Sequence, residues 1–568
     1  MELYIIDWLI IILFFVITLG ISLIFTQEAG KNIESFFLGG RNLPWWLAGT
    51  SMVATTFAAD TPLLVAELVA NHGISGNWIW WNGLIGGMLA TFLFAKFWRR
   101  ANIITDVELI ELRYSGKPAA FLRGFKAVYL GIFMNAVIIA WVNVALGSLL
   151  QVFFNIPADQ VIFYLAGAMF FVMVYSSLSG LLGVVMTDFI QFIIAMIGSI
   201  ILAVIVLNSE AIGGISGLQA KLPAATFEFF PTFAETTEVF TISVATFLAF
   251  VGVQWWASWY PGSEPGGGGY VAQRMMSAKN EEHAIKATLF FQIAHYALRP
   301  WPWIIVGLCA IVLYPELSAD EKRLGYVMAM RDFLPPGLKG LLLVAFFAAY
   351  MSTISTQLNW GTSYIINDLY KRFLHPNANE KQLVRASRFN TFLLMIFALI
   401  VTSQITTLES AFKFMIECGA GLGAVLILRW YWWRINAWSE IVATIAPFIA
   451  FSYTHFYTDL KFPESLFVTV GFTTAAWLIA TYVTKPTDSK VLDNFYEKIQ
   501  PEGYWQKETK KKSQLGKLLA SWLLGIGLVY SCLFGIGKLI FGDWQSAAIY
   551  GVAGIICAWS VHRLLKND

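Results

Sequence analysis

Charge is what this chain has least of. Only 13% of its 568 residues are Asp, Glu, Lys or Arg, against 57% hydrophobic, a balance too apolar for a water-soluble chain of this length. The few charges nearly cancel, to +2 at pH 7, so composition points to neither nucleic acid nor an acidic partner. Cysteine is equally sparse: Cys309, Cys418, Cys532 and Cys557 lie in or beside apolar stretches without paired spacing. That argues against a disulfide framework or a metal cluster. The strings His-Glu-x-x-His and Gly-x-Ser-x-Gly do not occur, which leaves an intramembrane enzyme without its usual catalytic cluster. Nor is there a filter motif of the kind a channel needs. The first apolar stretch, Tyr4–Phe25, has no basic residue before it and no small-residue cleavage site after it. It reads as a retained helix rather than a signal peptide, and nothing argues for secretion.

What is present is a succession of long apolar runs. A bilayer-spanning helix needs about 20 mainly apolar residues, and roughly fifteen such runs follow one another from Tyr4–Phe25 to Ser546–Leu565. They are too long and too evenly apolar for the alternating strands of an outer-membrane barrel, so the expectation is an all-α polytopic membrane protein with about 15 transmembrane helices. Basic residues mark cytoplasmic loops. Lys96–Lys126 holds seven basic and three acidic residues, whereas Glu210–Glu238 holds one basic and four acidic. With the N-terminus outside, the basic stretches Arg274–Lys286, Lys371–Arg388, Arg429–Arg434, Lys498–Lys517 and Arg563–Lys566 also fall inside. This predicts a multi-pass protein of the cell inner membrane with a cytoplasmic C-terminus and the lipid bilayer as its solvent. The run Lys510, Lys511 and Lys512 then reads as a topogenic, lipid-facing cluster.

Two spans are interrupted. Pro44–Asn71 carries Ala54, Thr55, Thr56, Ala58, Ala59, Asp60 and Pro62 inside an apolar run, and Thr237–Tyr260 leads into Pro261-Gly262-Ser263-Glu264-Pro265 and four glycines. Small residues alone can serve close helix packing. A matching pair of Gly/Pro-interrupted spans in two halves is, however, the sequence pointer to an inverted-repeat transporter with its site at the breaks. The halves would be about residues 44–208 and 237–433.

The densest polar constellation is Ala348–Asn359, where Ser352, Thr353, Ser355 and Thr356 supply four hydroxyls in five positions. Ser352, Ser355 and Thr356 stand at i, i+3 and i+4 and share one helix face, with Thr353 about 100° away. Hydroxyl and carbonyl oxygens are hard ligands for a hard cation; a single such hydroxyl would more often bond back to its own helix. Asp188, flanked by apolar sequence from Leu181 to Gln191, is a functional candidate because an ionised group left unpaired in hydrocarbon costs several kcal/mol. The bland alternative is an acid at the membrane interface. Asp60 stands likewise between a functional acid and a structural salt bridge.

These residues resemble the sodium:solute symporter family, which includes sodium–proline, sodium–galactose and sodium–sialic acid carriers. The resemblance covers about residues 34–440 and rests on Phe36–Trp46, Gly183–Gln191, Ala272-Gln273-Arg274, and the serine-rich helix ending Asn367–Lys371. It implies a leucine-transporter-like 5+5 inverted-repeat core (residues 34–436), preceded by an extra N-terminal helix and loop (1–33) and followed by extra C-terminal helices (437–568). It implies a shared sodium site made by the carbonyls of Ala54, Phe57 and Ala349 with the hydroxyls of Ser352 and Thr353. It also implies a second sodium site at Asp188, Ser352, Ser355 and Thr356, hence two Na+ per cycle. The expected function is sodium-coupled uptake of a small polar solute, sugar or polyol, or amino or organic acid, by alternating access.

Candidate solute contacts are Asp60 and Thr61 after the first break, Trp80 and Trp81, Asn143, then Gln254, Trp255, Trp256, Trp259 and Tyr260 near the second, and His295 and Arg299. Trp and Tyr also gather at membrane interfaces as anchors. Arg299 reads either as a partner for a solute carboxylate or as one for Asp60 or Glu67. The stretch Pro261–Gly269 is an insertion relative to the family pattern. The competing readings are an uncoupled facilitator or a membrane-embedded solute sensor, the latter expected to carry a soluble signalling domain. Neither nucleic acid nor an obligatory protein partner is expected.

Overall fold

A computed structural model describes residues 3–231, 241–260, 262–404, 415–416, 419–505 and 513–566. The start of the second interrupted span (237–240), Pro261, Cys418 and the run 510–512 lie outside the described residues. Among the described residues the regular structure is helical, with three isolated backbone bridges. The principal helices are α1 (Ile5–Ala29), α2 (Trp45–Thr55), α3 (Thr61–His72), α4 (Ile74–Ala101), α5 (Gly116–Phe154), α6 (Val161–Leu207), α7 (Val244–Ala257), α8 (Gly269–Ser277), α9 (Glu281–Leu313), α10 (Leu338–Leu374), α11 (Glu380–Thr402), α12 (Leu422–Leu428), α13 (Ala437–Tyr457), α14 (Glu464–Val483), α15 (Leu515–Ile540) and α16 (Trp544–Lys566). Ten of the described helices are long and apolar enough to cross a membrane unaided. The two spans that the sequence marked as interrupted are assembled from shorter pieces, α2 with α3 and α7 with α8.

At 47 residues α6 is far longer than one crossing. It turns at Gly180, whose φ is 55° and ψ is −158°. A Cβ there would stand 2.7 Å from the Phe36 carbonyl oxygen, so only glycine lets the chain reverse against the neighbouring loop.

The centre of the bundle is α10, buried along most of its length and packed against α6, α1 and α5. Its N-terminus is capped across the fold: Asp7 of α1, fully buried, accepts from the Gly337 and Gly340 amides at 2.7 Å each. A carboxylate there satisfies donors that a helix start leaves open and sits at the positive end of the helix dipole. The predicted cytoplasmic side is laced by ion pairs. Arg123 bridges Glu111 and Asp368 at 2.7 Å, and Arg100 pairs with Glu281 at 2.7 Å. Burial works against the Glu111 charge, but Arg372 and Arg123 together outweigh it and hold the carboxyl below its usual range.

Candidate ion and solute sites

The breaks follow from local chemistry. Helix α2 runs out at Thr55, residues 56–60 are non-helical, and Pro62 at the first turn of α3 restarts the helix where no backbone donor is needed. Helix α7 ends at Ser258 in extended conformation, and the chain is held open by the segment just before α12: Trp259 donates its amide to the Gly419 carbonyl (3.0 Å) and Gly421 donates to that of Ala257 (2.9 Å).

Asp188 is fully buried inside the protein. Ser352 donates to its Oδ1 and Ser51 to its Oδ2, each at 2.6 Å. The Arg274 guanidinium lies 3.8 Å from the same carboxylate. It donates to Thr356 Oγ1 at 2.7 Å, to Ser51 Oγ at 3.2 Å and to Gln273 Oε1 at 2.7 Å. Helices α2, α6, α8 and α10 therefore meet at one buried polar node, in which every charge has both a counter-ion and hydrogen bonds. Ser355 donates to the Ser352 carbonyl at 3.1 Å, the back-bonding expected of a lone membrane serine.

About 100° round the helix from Ser352, Thr353 Oγ1 lies 2.9 Å from the Thr55 carbonyl and 3.2 Å from the Ala349 carbonyl, within donating distance of both. Thr55 and Thr356 pair through their hydroxyls at 3.1 Å. The Ala54 carbonyl accepts the Phe57 amide at 3.0 Å. The end of α2 and the hydroxyl face of α10 are thus already in contact through oxygen atoms.

A cavity of about 160 Å³ opens beside this contact. Of the sequence candidates it is lined by Asp60, Thr61, Trp80, Gln254, Trp255, Tyr260, His295 and Arg299. Trp80 stacks on Tyr296 with ring centres 5.7 Å apart and meets His295 edge-on. Wide turns at Phe250–Gln254 in α7 and Ala294–Leu298 in α9 present Gln254 and His295, a device often found at functional sites. Arg299 lines this cavity together with Asp60, whose charge attracts it. It donates to the Val53 carbonyl at 3.3 Å and to Thr56 Oγ1 at 3.1 Å, it touches His295 at 3.2 Å, and it lies over the Trp303 ring.

Three aromatic candidates and one amide lie elsewhere. Asn143 is in the core, bonded to Thr402 (2.9 Å) and Tyr350 (2.7 Å). Trp256 donates to the Gly252 carbonyl of its own helix at 2.8 Å. Trp81 is packed against Trp78 and Phe534, and Trp259 faces a different cavity. Sequence reasoning missed Ser51, Trp141, Ser258, Tyr270, Tyr296 and Gln357. Only Arg274 was flagged, as part of a motif and without a role; a buried arginine in an apolar chain was the available pointer.

The inserted segment forms a partition. Ser258, Tyr260, Gly262 and Ser263 face the 160 Å³ cavity, whereas Trp259, Glu264, Gly267 and Gly268 face a cavity of about 20 Å³ shared with Asp106, Lys126 and Arg429. Lys126 and Arg429 both pair with the buried Glu440. The partition is seated by Trp98, which donates to the Gly266 carbonyl at 3.0 Å, and by Gly269, which donates to Asp106 at 3.0 Å. Gly267 has φ of +72°, and a Cβ there would lie 2.7 Å from Trp98 Nε1. Gly267→Ala is expected to cost about 1–2 kcal/mol in backbone strain alone and to dislodge Trp98. A thermal melt of the purified protein checks this: Tm falls, and an unchanged Tm would mean that the partition relaxes freely.

The comparisons with known proteins agree with this architecture. The family model described as "Sodium:solute symporter family" matches residues 36–446. The chain is 25% identical over 475 residues to a sodium/glucose cotransporter of Vibrio parahaemolyticus, covering 78% of this chain and 84% of that protein. It is 24% identical over 433 residues to sodium/myo-inositol cotransporter 2 of Homo sapiens, covering 69% of this chain and 60% of that protein. In structure it resembles a Na+-coupled sialic acid symporter solved in a substrate-bound outward-open state, with a TM-score of 0.68 and 19% identity over 86% of this chain and 100% of that one. That likeness supports the leucine-transporter-like fold.

Proposed function

The chain belongs to the sodium:solute symporter family, and from that premise we propose a two-sodium importer of a small polar organic solute working by alternating access. Sodium-coupled symport of a small solute by a multi-pass membrane protein follows from the family itself. The finer reading rests on one observation: α10 offers neighbouring hydroxyls to two different partners, Thr353 to the broken helix and Ser352 to Asp188.

In this reading the first ion is held by the carbonyls of Ala54, Phe57 and Ala349 and the hydroxyls of Ser352 and Thr353. Thr353 turns its proton away from the Thr55 carbonyl and presents a lone pair, so the ion replaces a hydrogen bond between α2 and α10 by a tighter oxygen cage. The second ion is held by Asp188, Ser352, Ser355 and Thr356. Arg274 competes for that carboxylate, so ion entry requires the guanidinium to withdraw toward Gln273, carrying α8 with it. Because α8 follows the partition, ion binding is thereby linked to the wall of the solute cavity.

Residues 34–436 form the transport core in this reading, flanked by 1–33 and 437–568. The protein lies in the cell inner membrane with its N-terminus outside and its C-terminus in the cytoplasm, as the basic loops indicate. Each sodium entering down about 100 mV and a tenfold gradient contributes about 3.7 kcal/mol. Two ions support about a 10⁵-fold accumulation of a neutral solute. The test is a thermal-shift screen of purified protein against sugars, polyols, amino acids and carboxylates in sodium and in potassium, followed by uptake of the hit. Stabilisation and uptake are expected in sodium alone; equal uptake in sodium-free buffer at a matched proton gradient refutes coupling.

A further inference from the structure

The cavity is lined by two groups of formal opposite charge, Asp60 and Arg299, and they differ in how their side chains are partnered. Arg299 is 1% exposed. Its guanidinium is committed to the Val53 carbonyl, Thr56 and His295, with the Trp303 ring beneath it. Asp60 lines the same cavity at 8% exposure, and its Oδ1 is buried with no hydrogen-bond partner. Arg299 attracts the Asp60 carboxylate through space without donating a hydrogen bond to it among the described residues.

The other unpartnered polar atoms on this wall point the same way. They are Gln254 Oε1, Gln357 Oε1 and Ser258 Oγ, two of them acceptors only and the third able to accept. The amide of Gln254 is oriented by its Nε2, which donates to the Ile79 carbonyl at 3.5 Å. The remaining walls include the faces and edges of Trp80, Tyr296 and Trp255. A cavity with a carboxylate oxygen that accepts no hydrogen bond, spare acceptors and aromatic walls complements a cation. The Ser258 hydroxyl can turn to donate or accept, whereas Asp60 repels a carboxylate-bearing solute across a low-dielectric gap.

We propose that Asp60 sets the charge selectivity of this transporter: the solute is recognised through a protonated amine placed at Asp60, with its hydroxyl or amide donors on Gln254, Gln357 and Ser258, and carboxylate-bearing solutes are rejected. This rests on the symporter reading above and narrows its open substrate class to polar amines such as amino-polyols.

The test uses matched trios that share a skeleton and differ in one group. Glucose, glucosamine and glucuronate form one trio; glycerol, 2-aminopropane-1,3-diol and glycerate form another. Binding to the full-length wild type and to Asp60→Asn is measured by thermal shift and by sodium-dependent uptake. In wild type the amine is expected to bind about tenfold more tightly than its neutral counterpart, the scale of one desolvated charge-assisted hydrogen bond, and the acid not at all. Asp60→Asn should erase the amine preference, so that within the variant the amine and its neutral counterpart bind alike. Binding of either acid by wild type, or an undiminished amine preference in the variant, overturns the proposal.

A second measurement stands without any solute. If Asp60 Oδ1 has no partner in the protein, Asp60→Asn leaves the solute-free Tm unchanged or raises it, because a buried charge awaiting a ligand is a source of instability. A fall of several degrees would show that the protein itself satisfies Asp60 and would overturn the proposal. Failure of the symporter reading looks different: the amine preference persists, but equally in sodium and potassium.

Discussion

Replacing Ser352 and Thr353 by alanine together yields a folded, membrane-inserted protein whose solute uptake no longer responds to sodium. The two hydroxyls lie on a fully buried face of α10 at 1% and 3% exposure. Each makes one or two hydrogen bonds, to Asp188 or to the Thr55 and Ala349 carbonyls. Losing them costs about 1 kcal/mol per neutral bond and up to about 3 for the one to a carboxylate, within the reach of a well-packed bundle. For the proposed first ion, two of five ligand oxygens disappear, and nothing else in α10 replaces them at that height. Sodium affinity is then expected to fall by well over tenfold, each factor of ten corresponding to about 1.4 kcal/mol. Circular dichroism and size-exclusion profiles establish folding; uptake against external sodium establishes the loss. A variant that inserts but aggregates would assign these hydroxyls to packing. Retained sodium dependence in a folded variant would remove them from the ion site.

Asp188→Asn addresses ion number. Wild type is expected to show sigmoidal dependence on sodium and to move about two charges per neutral solute, or three where the solute itself is a monocation; the variant should show a hyperbolic dependence and move one charge fewer. The charge per cycle is read from the membrane potential at which net flux reverses. The substitution keeps one oxygen for Ser352 and the size of the side chain, but removes the charge that would offset desolvation of the ion. It also removes the counter-ion of Arg274, 3.8 Å away, and unpairing one member of a buried ion pair costs about 3–5 kcal/mol. The double variant Asp188→Asn/Arg274→Gln therefore serves as its partner, with both charges absent and stability expected to recover relative to the single change. If the reversal potential is unchanged in the double variant, the Asp188–Arg274 node is structural and only the first ion is transported.

The helical membrane class and both broken spans were legible before any coordinates. Lipid offers no hydrogen bonds, so every span must write its own helix in about 20 apolar residues; the places where Thr, Asp, Pro and Gly interrupt that rule stand out. Asp188 and the four α10 hydroxyls were legible for the same reason, since polar groups in an apolar segment need a purpose. Partners were not. Asn143 and Trp256 have the composition of ligand-binding residues, yet Asn143 is spent on Thr402 and Tyr350 and Trp256 on its own helix. Arg299 carries the charge of a carboxylate receptor, but its donors end on Val53, Thr56 and His295.

By itself the sequence determined the class, the breaks, and which helices carry oxygen in hydrocarbon, because each of these is a property of one segment against lipid. Only the tertiary structure decided that Arg274 reaches Asp188, that Arg299 donates to Val53 and Thr56 while Asp60 Oδ1 accepts no hydrogen bond, and that the Gly262–Gly269 stretch separates two cavities. Those outcomes depend on which helices lie within about 4 Å of one another, and segments more than a hundred residues apart meet there through packing that no local pattern encodes.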